Sequence, residues 1–153
     1  MSNEYKFDFQ QMIESIREQY QFDFVGVAMV QSQELRFELR WEFVTGNKSE
    51  RYRRIVLQSG KGIAGIVFKT GKPMLIENVD RMIPAGQLYN YPIVITESLK
   101  SFGAVPLIHN NRVRGVLLVG FRENDRLTSE KFSTFKRDVE SSLYPFHIRE
   151  VVK

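Results

Sequence analysis

The residues with the clearest chemical potential form a glycine-rich stretch, Ser59–Gly65, that leads into a short apolar helix. The pattern predicts that this helix begins near Gly62 and stops at Gly71. The first amide groups of such a helix, including those of Ile63 and Ala64, have no acceptor within it and lie at the positive end of its dipole. This stretch therefore predicts a site that suits an anion.

Three glycines in this stretch, Gly60, Gly62 and Gly65, also match the Gly-x-Gly-x-x-Gly pattern of dinucleotide-binding loops. Such a loop requires a βαβ unit in a parallel sheet, a full helix and an acidic residue about 20 positions further on. The predicted helix has only about two turns, and long alternating strands precede it. Dinucleotide binding is therefore disfavoured. The serious alternative is structural: the glycines serve a tight turn and close helix packing.

The composition removes several classes of chemistry. The chain has no cysteine, which excludes disulfides, thiol nucleophiles, thiolate metal sites and iron–sulfur ligation. Its two histidines, His109 and His147, have no partner cluster and are expected at the surface, so no metal site is predicted. No Ser/His/Asp set or carboxylate pair can be placed in one cleft. We therefore predict no catalytic residues, no cofactor and no enzymatic activity.

The charge balance is mildly basic, with 22 Lys plus Arg against 18 Asp plus Glu and a net charge of +4. The densest basic piece, Arg51–Arg54, contains an aromatic residue and could follow a phosphate backbone, but no recognised nucleic-acid motif accompanies it. Nucleic-acid binding is not expected. The start of the sequence lacks an apolar leader and the apolar runs are too short to span a membrane, so a soluble cytoplasmic protein is expected.

Length and composition predict one domain over residues 1–153, and the predicted strands place its core at about 22–121. Helical spacing predicts terminal helices over about 8–20 and 128–149, capped by Asp8 and Thr128, with Pro145 kinking or ending the second. Period-two and β-rich runs predict strands. The predicted strands are 22–30, 35–43, 53–58, 73–76, 101–108 and 112–121, with Gln31–Glu34 as a hairpin link.

Two further features complete the predicted architecture. Trp41 alternates with charged residues and shares a strand face with Leu39 and Phe43, so it should point into the protein. Residues 77–100, here called the lid segment, lack periodicity, yet the run Tyr89–Ile95 is too apolar to remain in water and should fold back as a lid. We predict an α+β fold: an antiparallel sheet with the terminal helices on one face, and the short helix and irregular segments on the other.

This order of elements, together with four local motifs, resembles the GAF domain family over nearly the whole chain. The motifs are Ser59–Gly65, Pro73–Met74, Ser101–Leu107 and Gly115–Leu117. GAF domains bind cyclic nucleotides, tetrapyrroles, haem and other small effectors, so the fold alone does not fix the ligand.

A narrower resemblance is to GAF proteins of Gram-positive bacteria that act as nitrate receptors. Their buried tryptophan matches Trp41, their aliphatic-alanine helix start matches Ile63 and Ala64, and their Tyr-Pro-Ile lid matches Tyr91, Pro92 and Ile93. Ile63 departs from the leucine of that group, which matters little if the backbone binds the ligand. The resemblance implies nitrate as ligand, held by these residues. The alternative for Trp41 is a core tryptophan whose N–H donates to a backbone carbonyl. The alternative for Tyr91, Pro92 and Ile93 is a lid that only fills the core.

The resemblance also implies partners. The receptors work with a cytoplasmic sensor histidine kinase that controls nitrate respiration, and the form without nitrate would restrain the kinase. GAF domains commonly pair through their terminal helices, which implies a homodimer through 8–20 and 128–149, with Phe7, Phe146 and Ile148 as exposed apolar contacts. The alternative function is a GAF interaction or dimerisation module that binds another small effector or no ligand.

Overall fold

The fold is a six-stranded sheet with helices packed on both faces. The computed structural model describes residues 7–31 and 38–148, so the predicted hairpin link and the start of the second predicted strand lie partly outside the described residues. The strands are β1 Phe24–Gln31, β2 Glu38–Thr45, β3 Val56–Gln58, β4 Met74–Ile76, β5 Ser101–His109 and β6 Arg112–Phe121. Their spatial order is β3-β2-β1-β6-β5-β4, and every neighbouring pair is antiparallel.

The helices begin and end where local chemistry allows. They are α1 Phe9–Tyr20, α2 Gly62–Thr70, α3 Val79–Met82, α4 Pro92–Glu97 and α5 Ser129–Val139, with 3₁₀ helices at Arg51–Arg54, Ala85–Asn90 and Glu140–Leu143. The predicted caps are confirmed: Asp8 accepts a hydrogen bond from the Gln11 amide at 3.0 Å, and Thr128 accepts one from the Lys131 amide at 3.2 Å. Gly71 ends α2 in the left-handed conformation, φ 68°.

The two faces of the sheet carry separate hydrophobic cores. The helix-side core contains α1 and α5 packed on residues such as Val25, Val105 and Leu117. The site-side core lies on the opposite face, where α2 and the lid segment pack on Ala28, Phe102 and Leu118. The predicted α+β arrangement, with terminal helices on one face and the short helix and lid on the other, is confirmed.

A bulge in β2 corrects one predicted side-chain direction. The pairing with β1 passes from Val27 with Phe43 to Ala28 with Trp41, so Glu42 is an extra residue. Alternation is broken at that point. Trp41 and Leu39 belong to the site-side core, but Phe43 packs on the helix side and stacks on Phe9 at 5.2 Å between ring centroids. The prediction that Phe43 shares the face of Trp41 was wrong.

Three other predictions also need correction. Residues 51–54 form a 3₁₀ helix and not the start of a strand. The lid segment is largely helical, because its apolar residues can pack only after its backbone hydrogen bonds are satisfied locally. The closing helix does not reach residue 149: α5 and the 3₁₀ helix that follows end at Leu143, because Pro145 disfavours a helical conformation at Tyr144.

The ends of the terminal helices are also less exposed than predicted. Phe146 and Ile148 are only 5% and 4% exposed, since the chain after Pro145 folds back and pairs with β5 through the backbone of Ile108 and His147. Phe7 is half-buried and packs edge-on against Phe146, with ring centroids 5.8 Å apart. These residues are therefore part of the helix-side core and not an exposed apolar surface.

Candidate functional site

The first turn of α2 presents buried amide groups without a capping side chain. The turn before it is closed by the Lys61 amide, which donates to the Gln58 carbonyl at 2.9 Å. Lys61, at the N-cap, makes no side-chain hydrogen bond to the helix. The amides of Ile63 and Ala64 lie where an α-helix supplies no internal acceptor, and both residues are buried. These two buried amides are therefore candidate donors to a ligand.

The glycines of this turn have a structural role. A Cβ atom at Gly65 would lie 2.3 Å from the Gln58 carbonyl oxygen, and the Gly60 amide donates to the Gly65 carbonyl at 2.8 Å. Gly62 has φ 68°. The glycines thus let the turn sit directly against α2. The parallel βαβ context of a dinucleotide loop is not found here, because the described strands pair antiparallel.

Trp41 supplies a third donor from the neighbouring strand. Its side chain is only 3% exposed, and its Nε1 atom has no hydrogen-bond partner among the described residues. A buried N–H without an acceptor costs about 1–3 kcal/mol. The alternative of a core tryptophan that donates to a backbone carbonyl is not what these residues show. The unpaired indole N–H is the feature of this site that most needs an explanation.

The lid segment contributes α4 to the same core. Pro92 occupies the first turn, where its missing N–H costs nothing, and Val94 donates to the Tyr91 carbonyl at 3.0 Å. Ile93 is 1% exposed, and its amide lies in the same first turn without an intrahelical acceptor. Tyr91 and Pro92 are half-buried. The lid thus folds back over the sheet, as its apolar sequence predicted.

The structure places most of the predicted site residues in one hydrophobic core. Trp41, Ile63, Ala64 and Ile93 belong to the site-side core, and Tyr91 packs against it. Pro92 lies between Tyr91 and Ile93 in the chain and is not part of that core. Helix α2 is in contact with α4, so the two helices that carry the candidate amides are neighbours. These residues form a candidate site whose donors are neutral N–H groups.

The electrostatic character of this region follows from its buried groups. Glu97 and Ser101 are the buried polar side chains among the residues that the structure describes, and no lysine or arginine is fully buried there. An anion in the site would meet backbone and indole N–H groups and the positive ends of helix dipoles. Such a setting favours a small, weakly hydrated monoanion over a dianion, whose desolvation costs more.

One partly buried ion pair at the end of α4 was not predicted. Glu97, at the end of α4, is fully buried, and its Oε1 atom lies 2.7 Å from Nη2 of Arg122. A single carboxylate shortly after the apolar run 92–95 was the available signal, because a charge at a buried helix position needs a partner. The position of Arg122, just after β6, depends on tertiary packing that the sequence does not reveal.

The other candidates lie elsewhere. His109 Nδ1 contacts the Pro145 carbonyl at 3.2 Å, and His147 pairs through its backbone with Ile108. Residues 7–31 and 38–148 hold no group of His, Cys, Asp or Glu that could bind a metal ion. In the basic piece Arg51–Arg54, Tyr52 is buried and is not available for base stacking. Within the described ranges, no helix is long and apolar enough to cross a membrane.

The pKa shifts also lie outside the candidate site. Hydrogen bonds from Lys100 and then Asn124 lower the pKa of Asp80, which is exposed on α3. Burial, followed by the charge of Asp138, raises the pKa of Tyr20. The hydrogen bond to Glu50 is the main cause that raises the pKa of Arg53. Asp80 and Arg53 take part in surface hydrogen bonds, and none of the three groups belongs to the candidate site.

Comparison with known proteins identifies the family. The family profile described as the GAF domain matches residues 9–137, which include all the strands and the candidate site. The chain belongs to the GAF domain family. No match was found among curated proteins.

Three solved structures from Staphylococcus aureus are similar in both sequence and fold. The hypothetical protein SA1058 is 41% identical, with a TM-score of 0.73, and the match covers 75% of this chain and 93% of that one. An NreA protein mutated in its nitrate-binding site is 41% identical, with a TM-score of 0.73, covering 75% and 83%. A second such NreA structure is 35% identical, with a TM-score of 0.74, covering 82% and 95%.

More distant structures share the fold alone. The free methionine-R-sulfoxide reductase of Neisseria meningitidis, in complex with its substrate, is 18% identical with a TM-score of 0.69, and the match covers 89% of this chain and 73% of that one. At this sequence identity the similarity shows a shared fold. It does not indicate what chemistry this chain performs, because one fold can serve both enzymes and binding proteins.

Proposed function

We propose that this protein is a nitrate sensor. Nitrate would bind between β2, α2 and α4, held by the indole N–H of Trp41 and the amides of Ile63, Ala64 and Ile93, with Tyr91 and Pro92 covering it. The NreA structures, whose described mutations lie in a nitrate-binding site, support the choice of ligand. The GAF fold supports a role in binding a small effector.

The observation that carries the proposal is the unpaired indole of Trp41. A core tryptophan would satisfy its N–H within the protein, because leaving it unpaired lowers the stability of the fold. A ligand that accepts a hydrogen bond at this atom would recover that cost on binding. The neighbouring uncapped start of α2 independently favours an acceptor that carries negative charge.

The chemistry of nitrate fits these donors. It is a planar monoanion whose three oxygens only accept hydrogen bonds, and every group named here only donates. Charge-assisted hydrogen bonds each contribute about 1.5–3 kcal/mol. Three or four of them, less the desolvation cost, are consistent with a micromolar dissociation constant, about 8 kcal/mol. Sulfate and phosphate would enter with a second charge that no buried cation balances.

A calorimetric titration with a panel of ligands tests the choice of nitrate. We expect saturable heat with nitrate, weaker binding of nitrite, and none with sulfate or with cyclic nucleotides at the same concentration. Chloride sets the ionic-strength control. Tight binding of a cyclic nucleotide, or no difference between nitrate and chloride, would contradict the proposed ligand.

We propose further that the bound state modulates a cytoplasmic sensor histidine kinase. This part comes from the resemblance to the nitrate receptors. Physically, a ligand shifts an equilibrium only if it binds one state better, and the amide of Ile93 can join those of Ile63 and Ala64 around one ion only when the lid is closed. Lid closure is the proposed switch. The protein without nitrate would restrain the kinase and nitrate would relieve the restraint.

A reconstituted autophosphorylation assay tests the partner. Protein without nitrate should lower the rate of phosphate incorporation by the cognate kinase, and saturating nitrate should restore it. The variant Trp41→Phe should still restrain the kinase but need more nitrate for relief. A kinase whose rate is the same with and without this protein would remove the signalling role, even if nitrate binds. An enzymatic role is not part of the proposal, because the cysteines used by the methionine sulfoxide reductases are absent from this chain.

A further inference from the structure

A network of hydrogen bonds surrounds Glu97 at the end of α4. One carboxylate oxygen, Oε1, accepts from the Lys48 amide at 2.9 Å and from Nη2 of Arg122 at 2.7 Å. The other, Oε2, is buried and has no partner among the described residues. Glu97 is therefore a buried charge attached to two different parts of the fold, the segment after β2 and the segment after β6.

Arg122 joins these parts further. Its Nε atom donates to the backbone carbonyl of Glu97 at 2.8 Å, and its Nη2 atom donates to the Gly46 carbonyl at 3.0 Å. Its own amide donates to Asp23 Oδ2 at 2.7 Å. A cation bonded to the last carbonyl of α4 also interacts favourably with the dipole of that helix. We call Glu97, Arg122, Gly46, Lys48 and Asp23 the Glu97 network.

The network is placed to fix two walls of the candidate site relative to each other. Gly46 and Lys48 follow β2 directly, the strand that carries Trp41. Glu97 ends α4, whose first turn carries Ile93. An α-helix of this length is marginal by itself, since helices shorter than about 12 residues depend on tertiary contacts. The position of Ile93 relative to Trp41 therefore depends on how firmly the far end of α4 is held.

A role in folding alone is a poor explanation for this arrangement. Burying an ion pair costs desolvation that the pair's attraction recovers only with good geometry, and a packed apolar pair is often equally stable. One carboxylate oxygen here is not even satisfied. Charged, directional hydrogen bonds hold α4 in a single defined position, which apolar contacts do not do.

We propose that Glu97 and Arg122 are positioning residues that hold α4 in the conformation that binds the ligand, so that they set nitrate affinity without touching nitrate. The inference rests on the proposed nitrate site and adds residues to it. If α4 is seated in only a fraction of molecules, the apparent dissociation constant rises by the inverse of that fraction. Weakening the network should therefore lower affinity as well as stability.

The test compares Glu97→Gln, Arg122→Lys and the double variant with wild type. Glu97→Gln keeps the side-chain shape and removes the charge; Arg122→Lys keeps the charge and loses the planar set of donors. Each variant's nitrate dissociation constant is measured by calorimetry well below its melting temperature, where a purely structural loss does not change the affinity of folded molecules. The matched control is Glu123→Gln, which removes the exposed partner of Arg126, 2.8 Å away on the same loop.

We expect each single variant to bind nitrate about tenfold more weakly, the value for a lid seated in one molecule of ten. The double variant should lose little more, because both changes break one interaction, and Glu123→Gln should match wild type. Folded variants with a lower melting temperature and an unchanged dissociation constant would overturn the positioning role. A wild type that does not bind nitrate would instead remove the proposed function and this role with it.

If neither variant folds, amide hydrogen exchange on the wild-type protein tests the positioning role of Glu97 and Arg122. Nitrate should slow exchange of the Lys48 amide, which donates to Glu97, more than exchange of the Gly71 amide, which donates to Val67 at 2.8 Å at the end of α2. Equal effects at the two amides, in protein that binds nitrate, would overturn the proposal without any substitution.

Discussion

Replacing Trp41 with phenylalanine separates the hydrogen bond of the indole from its packing. Most of the aromatic surface remains, while the N–H that has no partner in the protein is removed. Without nitrate the variant therefore loses no hydrogen bond. Removal of a whole buried aromatic ring costs about 3–5 kcal/mol, and the free energy of unfolding of this variant should fall by less than that. With nitrate it lacks one charge-assisted bond, and the dissociation constant should rise about 10- to 100-fold.

The magnitude can be followed in thermal unfolding. At a nitrate concentration one hundred times the wild-type dissociation constant, linkage stabilises the wild type by about 2.7 kcal/mol. At the same concentration the variant should gain only about 0.4–1.4 kcal/mol, because the ligand is then about one to ten times its dissociation constant. For a chain of this size each kcal/mol raises the melting temperature by about 2–4 °C.

The assay is a melting curve with and without nitrate, with equal chloride as the ionic control. The matched variant is Leu39→Val, on the same strand face and fully buried, which removes one methylene and no donor. It should lower the melting temperature, at about 0.5–1.5 kcal/mol of stability, and keep the full nitrate shift. An undiminished nitrate shift in folded Trp41→Phe would refute the reasoning and return Trp41 to a packing role.

Three further predictions concern the α2 turn and the lid. Ile63→Pro should greatly weaken nitrate binding while Ile63→Ala changes it little, because proline removes the amide donor yet is tolerated in a first helical turn; calorimetry on both variants would show the reverse order if the side chain binds the ligand. Gly65→Ala should lower the free energy of unfolding, measured in urea, by about 1–3 kcal/mol, because its Cβ would lie 2.3 Å from the Gln58 carbonyl oxygen. Gly86→Ala is the control: nothing lies within 4 Å of its Cβ, and its free energy of unfolding should stay within about 0.5 kcal/mol of the wild-type value. The hydrogen bonds from Lys100 and Asn124 hold the pKa of Asp80 below its unfolded value, so their stabilisation is present above about pH 4 and lost as pH falls further. The melting temperature of Asp80→Asn should therefore fall less than that of the wild type between about pH 5 and about pH 2; an unchanged pH profile would count against this pairing.

The sequence was a good guide wherever local chemistry decided the structure. The caps at Asp8 and Thr128, the stop at Gly71 and the apolar lid all act within a few residues, and all were predicted correctly. The first turn of α2 was also predictable, because glycines and an apolar run define it without reference to the rest of the chain.

What the sequence did not reveal depends on pairing between distant segments. The bulge at Glu42, which turns Phe43 to the other face, is fixed by the register with β1. The Glu97–Arg122 pair joins residues 25 positions apart that no local pattern connects. That Trp41 is buried was predictable from alternation, but its missing acceptor was not, because it depends on every atom around the indole.

The most direct test of the central claim is the indole ¹⁵N–¹H resonance during a nitrate titration. Trp41 is the only tryptophan in the chain, so its signal needs no assignment. If the indole N–H donates to nitrate, this signal should shift and saturate with the dissociation constant measured by calorimetry, and sulfate should leave it in place. An indole signal that stays unchanged while calorimetry shows nitrate bound would contradict the site described here.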